Sequence, residues 1–324
     1  MSDDETAIHD LHTIRDWLRW SVSRFNAAGL SYGHGTTTAL DEAAFLILET
    51  LHLPIDQLEP WLDARLTRDE RHAVHQIVGR RIVTRKPASY LTRSAYIQGH
   101  RFRVDERVIV PRSYLGELIC EGRLDDLVPT GDDEGQPRIL DLCTGSGCLA
   151  ILAALRFEAS HVDAVELSAR ALEVARANVA DHGVGARVTL LEGDLLAAVA
   201  GRTYDLIIAN PPYVAAAEVA AFPPEHAAEP AMAHLGGEDG LDLARRILSG
   251  AQAHLGPRGT LVMEIGTGRA ILEAEHPNTP FIWLDTADSE GEVLMIGATD
   301  LAAMAGSDQR RPRGGRKTGR RCSE

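Results

Sequence analysis

The chain has no apolar run approaching the roughly 20 residues that cross a bilayer; its longest strong run, Cys148 to Leu155, is eight. No secretory leader is expected, because Met1-Ser2-Asp3-Asp4-Glu5-Thr6 is acidic where such a signal is basic and then apolar. Four cysteines, Cys120, Cys143, Cys148 and Cys322, make no CxxC pair and no disulfide-framework spacing. The expectation is a cytoplasmic protein in a reduced compartment, with no membrane contact. Thirteen histidines show no metal-ligand spacing beside cysteines or acids, so no metal site is expected. Positive charge is scarce: 33 Lys and Arg face 47 Asp and Glu, for a net charge of −14. That balance opposes a body that grips nucleic acid by counterion release. The basic residues that exist collect at one end. From Gly306 onward, seven Lys or Arg face two acids, net +5, which leaves about −19 on the remainder. Residues 306–324 are expected as a basic disordered tail, or as a weak contact for RNA or the ribosome.

What is present reads as a helical unit followed by an α/β domain. Leu11, Ile14, Leu18 and Val22 recur at helical spacing. Asp41 to Leu53 predicts a second helix, ended before Pro54, and Thr67-Arg68-Asp69-Glu70 has the spacing of a capping box that opens a third, running to about Val83. Between the first two lies the glycine-punctuated loop Tyr32 to Thr38. Residues 1–95 are therefore expected as a helical domain, and residues 96–111 as a hairpin turning at Gly99. Ser113 can cap a short helix through Ile119. Beyond the polar linker Pro129 to Gln136, strands and helices alternate, which predicts a doubly wound, mostly parallel sheet over residues 112–305. The seven expected strands are Arg138–Asp141, His161–Glu166, Arg187–Leu191, Tyr204–Ala209, Gly259–Ile265, Pro280–Leu284 and Glu292–Ile296. Only seven residues separate the last two, too few for a parallel crossover, so they should pair antiparallel.

Two turns carry the chemistry. In Ile139-Leu140-Asp141-Leu142-Cys143-Thr144-Gly145-Ser146-Gly147-Cys148 a strand runs into a glycine turn that opens a helix, where backbone approaches a ligand closely and helix N–H groups donate. Glu166 ends the next strand, where a carboxylate binds both hydroxyls of a ribose. The loop alone also fits the dinucleotide pattern of an NAD dehydrogenase. Asp141 tilts the balance: it can position an aminoacyl ammonium, directly or through water, and would repel a pyrophosphate. Asp194 ends the third strand and can accept an adenine amino group, with Leu195 against the ring.

The second turn, Asn210-Pro211-Pro212-Tyr213, follows the apolar strand Asp205 to Ala209. Consecutive prolines fix φ and leave carbonyl acceptors without neighbouring donors. The Asn210 side-chain oxygen and the Pro211 carbonyl can accept the two N–H bonds of a primary amide or an aromatic amine, with Tyr213 stacked on that flat group. An amide nitrogen is a poor nucleophile because its lone pair is delocalised. Two acceptors aim it, and orientation of this kind removes on the order of 7–11 kcal/mol of barrier in favourable cases.

With both turns placed, residues from about 11 to 296 resemble the bacterial protein-glutamine methyltransferases. That family joins a helical substrate-recognition domain and a hairpin to a class I methyltransferase sheet, and has release-factor and ribosomal-protein branches. Pro111-Arg112-Ser113-Tyr114-Leu115-Gly116-Glu117 is similar to the ribosomal branch, as are Arg19 to Phe25, Tyr32 to Thr36 and Tyr90-Leu91-Thr92. The resemblance implies transfer of methyl from S-adenosylmethionine to a glutamine of large-subunit ribosomal protein L-three. It places cofactor contacts on Cys143, Thr144, Gly145, Ser146, Gly147, Glu166, Leu195 and Asn210, and the glutamine site on Asn210, Pro211, Pro212 and Tyr213. Glu229-Pro230 and Gly236 to Leu241 match a segment that shapes the pocket. Two positions depart from the family: Cys143, where it often carries Gly, and Asp288 to Glu292, which replaces a usual Gly-Gly stretch. A release-factor methyltransferase, an adenine-directed DNA methyltransferase and an inactive assembly factor are the competing readings. Of the remaining residues, His34 suits loop ordering or substrate docking, Arg112 pairing with Glu117 or docking, and Glu264 a pocket wall.

Overall fold

The computed structural model describes residues 3–130 and 135–308. The expected basic tail, apart from the end of the last helix, lies outside them, as does the middle of the expected linker.

Five helices come first: α1 (Asp3–Asp10), α2 (Ile14–Ala28), α3 (Ala39–Thr50), α4 (Arg68–Thr84) and α5 (Ala88–Thr92). The capping box at the start of α4 forms as its sequence predicts. Glu70 N–H donates to Thr67 Oγ1 at 3.3 Å, and Thr67 N–H donates to Glu70 Oε2 at 2.7 Å. A second box, Thr13 with Asp16, opens α2. The apolar face of α2 closes over α3 and α4, burying Trp17 and Phe25 completely among Leu46, Ile47, Val74 and Val78. A charged pair lies inside this bundle: Arg81 Nε donates to Glu42 Oε1 at 2.6 Å, and both side chains are buried.

The hairpin β1 (Ser94–Ile97) and β2 (His100–Arg103) follows, turning at Gln98 and Gly99. Residues 107–111, the end of the segment expected as a hairpin, join no ladder. Then come α6 (Tyr114–Cys120), β3 (Arg138–Leu142), α7 (Cys148–Arg156), β4 (His161–Glu166), α8 (Ala169–Asp181), β5 (Val188–Glu192), β6 (Tyr204–Ala209), α9 (Ala216–Val219), α10 (Asp242–Ala251), β7 (Leu255–Glu264), α11 (Arg269–Glu275), β8 (Ile282–Thr286), β9 (Ser289–Gly297) and α12 (Ala298–Asp308). None of the helices among the described residues is long and apolar enough to cross a membrane.

The sheet is the expected α/β, doubly wound, seven-stranded one, ordered β5-β4-β3-β6-β7-β9-β8. Every neighbouring pair is parallel except those that β9 makes with β7 and β8, so the antiparallel expectation holds. β9 starts three residues earlier than expected, and β8 keeps its expected length but lies two residues further on. Thr286 pairs with Ser289, so a tight turn replaces the open connection that the sequence suggests. Apolar side chains cover both faces, with Ile139, Val162 and Leu206 in one cluster and Leu140, Leu142 and Ile207 in the other.

The winding places the site. From β3 the chain steps outward to β4 and β5, then returns to β6 on the far side of β3. Ligands bind at such a reversal, outside the carboxyl ends of the strands. Here Leu142 pairs with Ala209, so the glycine loop after β3 and the proline turn after β6 emerge side by side.

Candidate active site

The glycine loop is held from below. Asp141 is fully buried, and its Oδ2 accepts from Thr144 Oγ1 and from the Ala150 N–H at 3.1 Å. Burial pushes this carboxyl up to about 7, although both hydrogen bonds act the other way. Its Oδ1 has no partner among the described residues. Above it the backbone enters the left-handed region at Cys143, φ 61°, and again at Gly145, φ 56°. A side chain there costs roughly 1–2 kcal/mol, which explains why glycine suits position 143. Glu166 ties the loop to the next strand: its Oε2 accepts the Gly145 N–H and its Oε1 the Ser168 N–H, each at 2.9 Å.

Two cavities meet at this loop. The larger, of about 330 Å³, is lined by Cys143, Gly145, Glu166, Asp194, Leu195, Asn210 and Pro212, with Leu167, Met232, Leu243 and Arg246. The smaller, of about 100 Å³, is lined by Cys143, Thr144, Gly145, Ser146 and all four residues of the proline turn, with Arg112, Ser113 and His234. Cys143, Gly145, Asn210 and Pro212 border both. Of the expected cofactor and catalytic residues, Asp141 and Gly147 line neither. Asp141 lies beneath the loop, and Gly147 lets it pack on α8, where an added Cβ would sit 3.2 Å from that of Ala175. Asp194 is also engaged, accepting from Arg246 Nη2 at 2.7 Å.

On the opposite wall, the Asn210 amide N–H donates to the Arg112 carbonyl at 3.5 Å, which leaves the side-chain oxygen for a ligand. The Tyr213 hydroxyl donates to Glu264 Oε1 at 2.9 Å. Burial, and then the Glu264 charge, push the phenol pKa well above its ordinary value, so it stays neutral. Gly236 and Gly240 lie against the backbone of the turn. A Cβ on Gly240 would fall 2.2 Å from the Tyr213 carbonyl oxygen, and one on Gly236 2.7 Å from that of Pro212. No side chain fits at either place.

The segment after the turn reaches back to the helical bundle. Glu229 has no exposed side-chain surface; it accepts from Val110 N–H at 2.9 Å and from both Arg112 guanidinium nitrogens, at 2.9 and 2.8 Å. His234 and His34 approach it at 3.0 and 3.4 Å. Burial would raise this carboxyl, but the neighbouring His234, His34 and Arg112 side chains outweigh it and hold the group far below the usual carboxylate range. Glu225, equally buried, accepts from Ser31 N–H at 3.1 Å and pairs with Arg85 at 2.9 Å. His34 thus serves a loop that ties the bundle to the site. The expected Arg112–Glu117 pair is not made, because Arg112 turns to Glu229 while Glu117 accepts from the Ala287 N–H at 2.8 Å.

Comparison with known proteins agrees with this geometry. Residues 125–235 match the family described as methyltransferase small domain. Over 299 residues the chain is 52% identical to the ribosomal protein uL3 glutamine methyltransferase of Bradyrhizobium diazoefficiens, covering 90% of this chain and 92% of that one. The uL3 glutamine methyltransferase of Bordetella pertussis is 51% identical over 90% of this chain and 97% of its own. That of Neisseria gonorrhoeae is 49% identical over 91% and 97%. The chain belongs to the uL3 glutamine methyltransferase family.

For a member of this family, sequence reasoning overlooked three partners. Arg246 stands against Asp194, the buried cluster around Glu229 takes in His234, and Glu264, expected as a pocket wall, lines neither cavity and instead anchors a hydroxyl. Only Glu264 left a local signal: it is the one acid in the otherwise apolar run Leu261 to Ile265.

Proposed function

We propose that this chain transfers a methyl group from S-adenosylmethionine to the side-chain amide nitrogen of a glutamine in ribosomal protein uL3. The observation that carries the reading is the meeting of two cavities at Asn210. The larger suits S-adenosylmethionine: its rim presents Glu166, its floor is a glycine loop with open space above Gly145, and the Asp141 Oδ1 beneath is an unused buried acceptor. In this reading Glu166 receives the ribose hydroxyls, and Leu195 lies against the adenine. Asp194 accepts its amino group, and Asp141 takes the ammonium through water. Bound there, S-adenosylmethionine supplies an electrophilic methyl on a sulfonium.

The chain's own residues do the rest by holding the acceptor. The free Asn210 oxygen and the Pro211 carbonyl take the two amide N–H bonds, and the Tyr213 ring supports the flat group. Both acceptors draw density toward the nitrogen and fix its lone pair in line with the approaching methyl, so orientation supplies the catalysis. Strong base is not required, since the nitrogen becomes acidic as its new bond forms. Residues 1–95 and the hairpin 96–111 are assigned to choosing the protein substrate, and residues 112–305 to the transfer. The relatives favour uL3 over a release factor or an adenine base, because those aligned over nine tenths of the chain carry that name.

Labelled S-adenosylmethionine and purified protein, added to lysate from cells lacking it, should label uL3 by one methyl on a glutamine, read by mass spectrometry. Label on adenine, or on a release factor alone, would overturn the reading. Ribosome contact through residues 306–324 would show as a salt-sensitive association lost on truncation at Gly306.

A further inference from the structure

The proline turn works only if its two side chains keep still. Asn210 is steadied by the Arg112 carbonyl. Tyr213 is held differently. One edge of its ring lies against Gly266, where an added Cβ would come within 2.7 Å of Cδ2, and its hydroxyl meets Glu264. Glu264 is 1% exposed and lines neither cavity. Met263 and Ile265 on either side of it are fully buried, so a wall at this position could have been apolar. A buried carboxylate is costly unless its acceptors are used. These are used: Oε2 accepts from Ser113 Oγ at 2.7 Å and from the Tyr114 N–H at 3.1 Å, and Oε1 accepts from Tyr213. Ser113 directly follows Arg112, so one short strap of chain braces both working side chains of the turn, one through a carbonyl and the other through Glu264.

We propose that Glu264 is a positioning residue for methyl transfer, fixing the Tyr213 hydroxyl so that the ring presents one set plane to the acceptor amide. This rests on the function proposed above. Because Glu264 touches neither substrate, its loss should act on turnover through Tyr213 alone. Glutamine can replace it: its oxygen faces Ser113 and Tyr114, and its amino group donates to the tyrosine oxygen, with the same geometry and a reversed bond.

The test measures methyl transfer to purified uL3 at saturating S-adenosylmethionine, beside cofactor affinity by calorimetry. E264A should lower kcat about tenfold or more, as misplacement of reacting groups does, and leave cofactor affinity within about twofold. E264Q should retain most of the activity. In a Tyr213→Phe background, E264A should add no more than about twofold, since the two changes break one contact. Losses that multiply, an inert E264Q, or cofactor affinity falling in step with turnover would each overturn the proposal. Should E264A fail to fold by circular dichroism, Ser113→Ala takes its place. It removes one brace and should slow the wild type but not the Tyr213→Phe variant; equal slowing in both overturns the idea. A wild-type protein that leaves uL3 unlabelled refutes the function instead. The positioning is then read from fluorotyrosine-labelled protein, where the fluorine signal lost in Tyr213→Phe should shift in E264A; an unmoved signal overturns it.

Discussion

Replacing Glu229 by glutamine changes one atom and should unsettle much of the interface between the helical bundle and the proline turn. The carboxylate receives Val110 N–H and one guanidinium nitrogen on Oε1, and the other guanidinium nitrogen on Oε2, with His234 and His34 close by. A glutamine has one acceptor oxygen and one NH2 group, and either orientation turns that NH2 toward a donor of Arg112. Hydrogen bonds to a charged group contribute roughly 1.5–3 kcal/mol each, and breaking a buried pair costs about 3–5 kcal/mol. Arg112 keeps 31% of its side chain exposed and recovers some hydration, so a loss of about 3 kcal/mol is expected. Urea unfolding of wild type and Glu229→Gln at neutral pH measures it. The pH dependence gives a second check. The folded carboxyl titrates far below its unfolded value of 4.5, so its stabilisation is complete above that pH and fades as acid protonates it. The difference between the two proteins should therefore be full near pH 7 and shrink below about pH 4.5. A difference under about 1 kcal/mol, or one that grows on acidification, would refute this account of the cluster.

Asn210→Ala should abolish most turnover while calorimetry finds cofactor affinity nearly intact. Asn210→Asp should also be slow, yet bind cofactor as well or better, because a negative charge beside the sulfonium favours the ground state. Glu166→Ala should weaken S-adenosylmethionine by roughly 1.5–3 kcal/mol in the same assay. Cys143→Gly should leave the urea midpoint unchanged or raise stability by up to roughly 1–2 kcal/mol, since glycine adopts φ 61° freely, whereas the β-branched Cys143→Val should lower it. Burial pushes Glu264 up to about 7, against the bonds from Ser113 and Tyr213. Its raised folded value means stability fully present below 4.5 and lost as pH climbs to about 7, so Glu264→Gln should gain on wild type between about pH 4.5 and 7 in unfolding experiments.

The parts legible in sequence were those whose signal is local. A glycine loop after an apolar strand, an Asn-Pro-Pro-Tyr turn after another and a Thr-x-x-Glu box each state their geometry within a few residues, and each stands where expected. The order of the sheet brought the two turns together. Pairings set by distant segments were not legible. Arg112 has an acid five residues on, in Glu117, but its actual partner is 117 positions away, and nothing near Arg112 points to that choice. Glu264 and Tyr213 are likewise 51 residues apart. The last strand was expected to start only at Glu292, because the polar residues Ser289 to Gly291 carry no strand pattern; the ladder from Ser289 holds them extended all the same. Asp141 was chosen for its charge and place at a strand end, yet its depth beneath the loop could be known only once the loop was folded.

Arg81, Arg85 and Ser31 of the helical bundle meet Glu225, and His34 meets Glu229, both from the stretch between the proline turn and α10. On the proposed assignment of target choice to the bundle, the unit to be exchanged for another target is therefore discontinuous. A graft of the first 95 residues alone would bring a foreign surface to two solvent-free acids and leave them facing whatever the donor happens to carry. A working chimera has to take the bundle and residues 214–240 from the same parent, although more than a hundred residues of catalytic sheet lie between them.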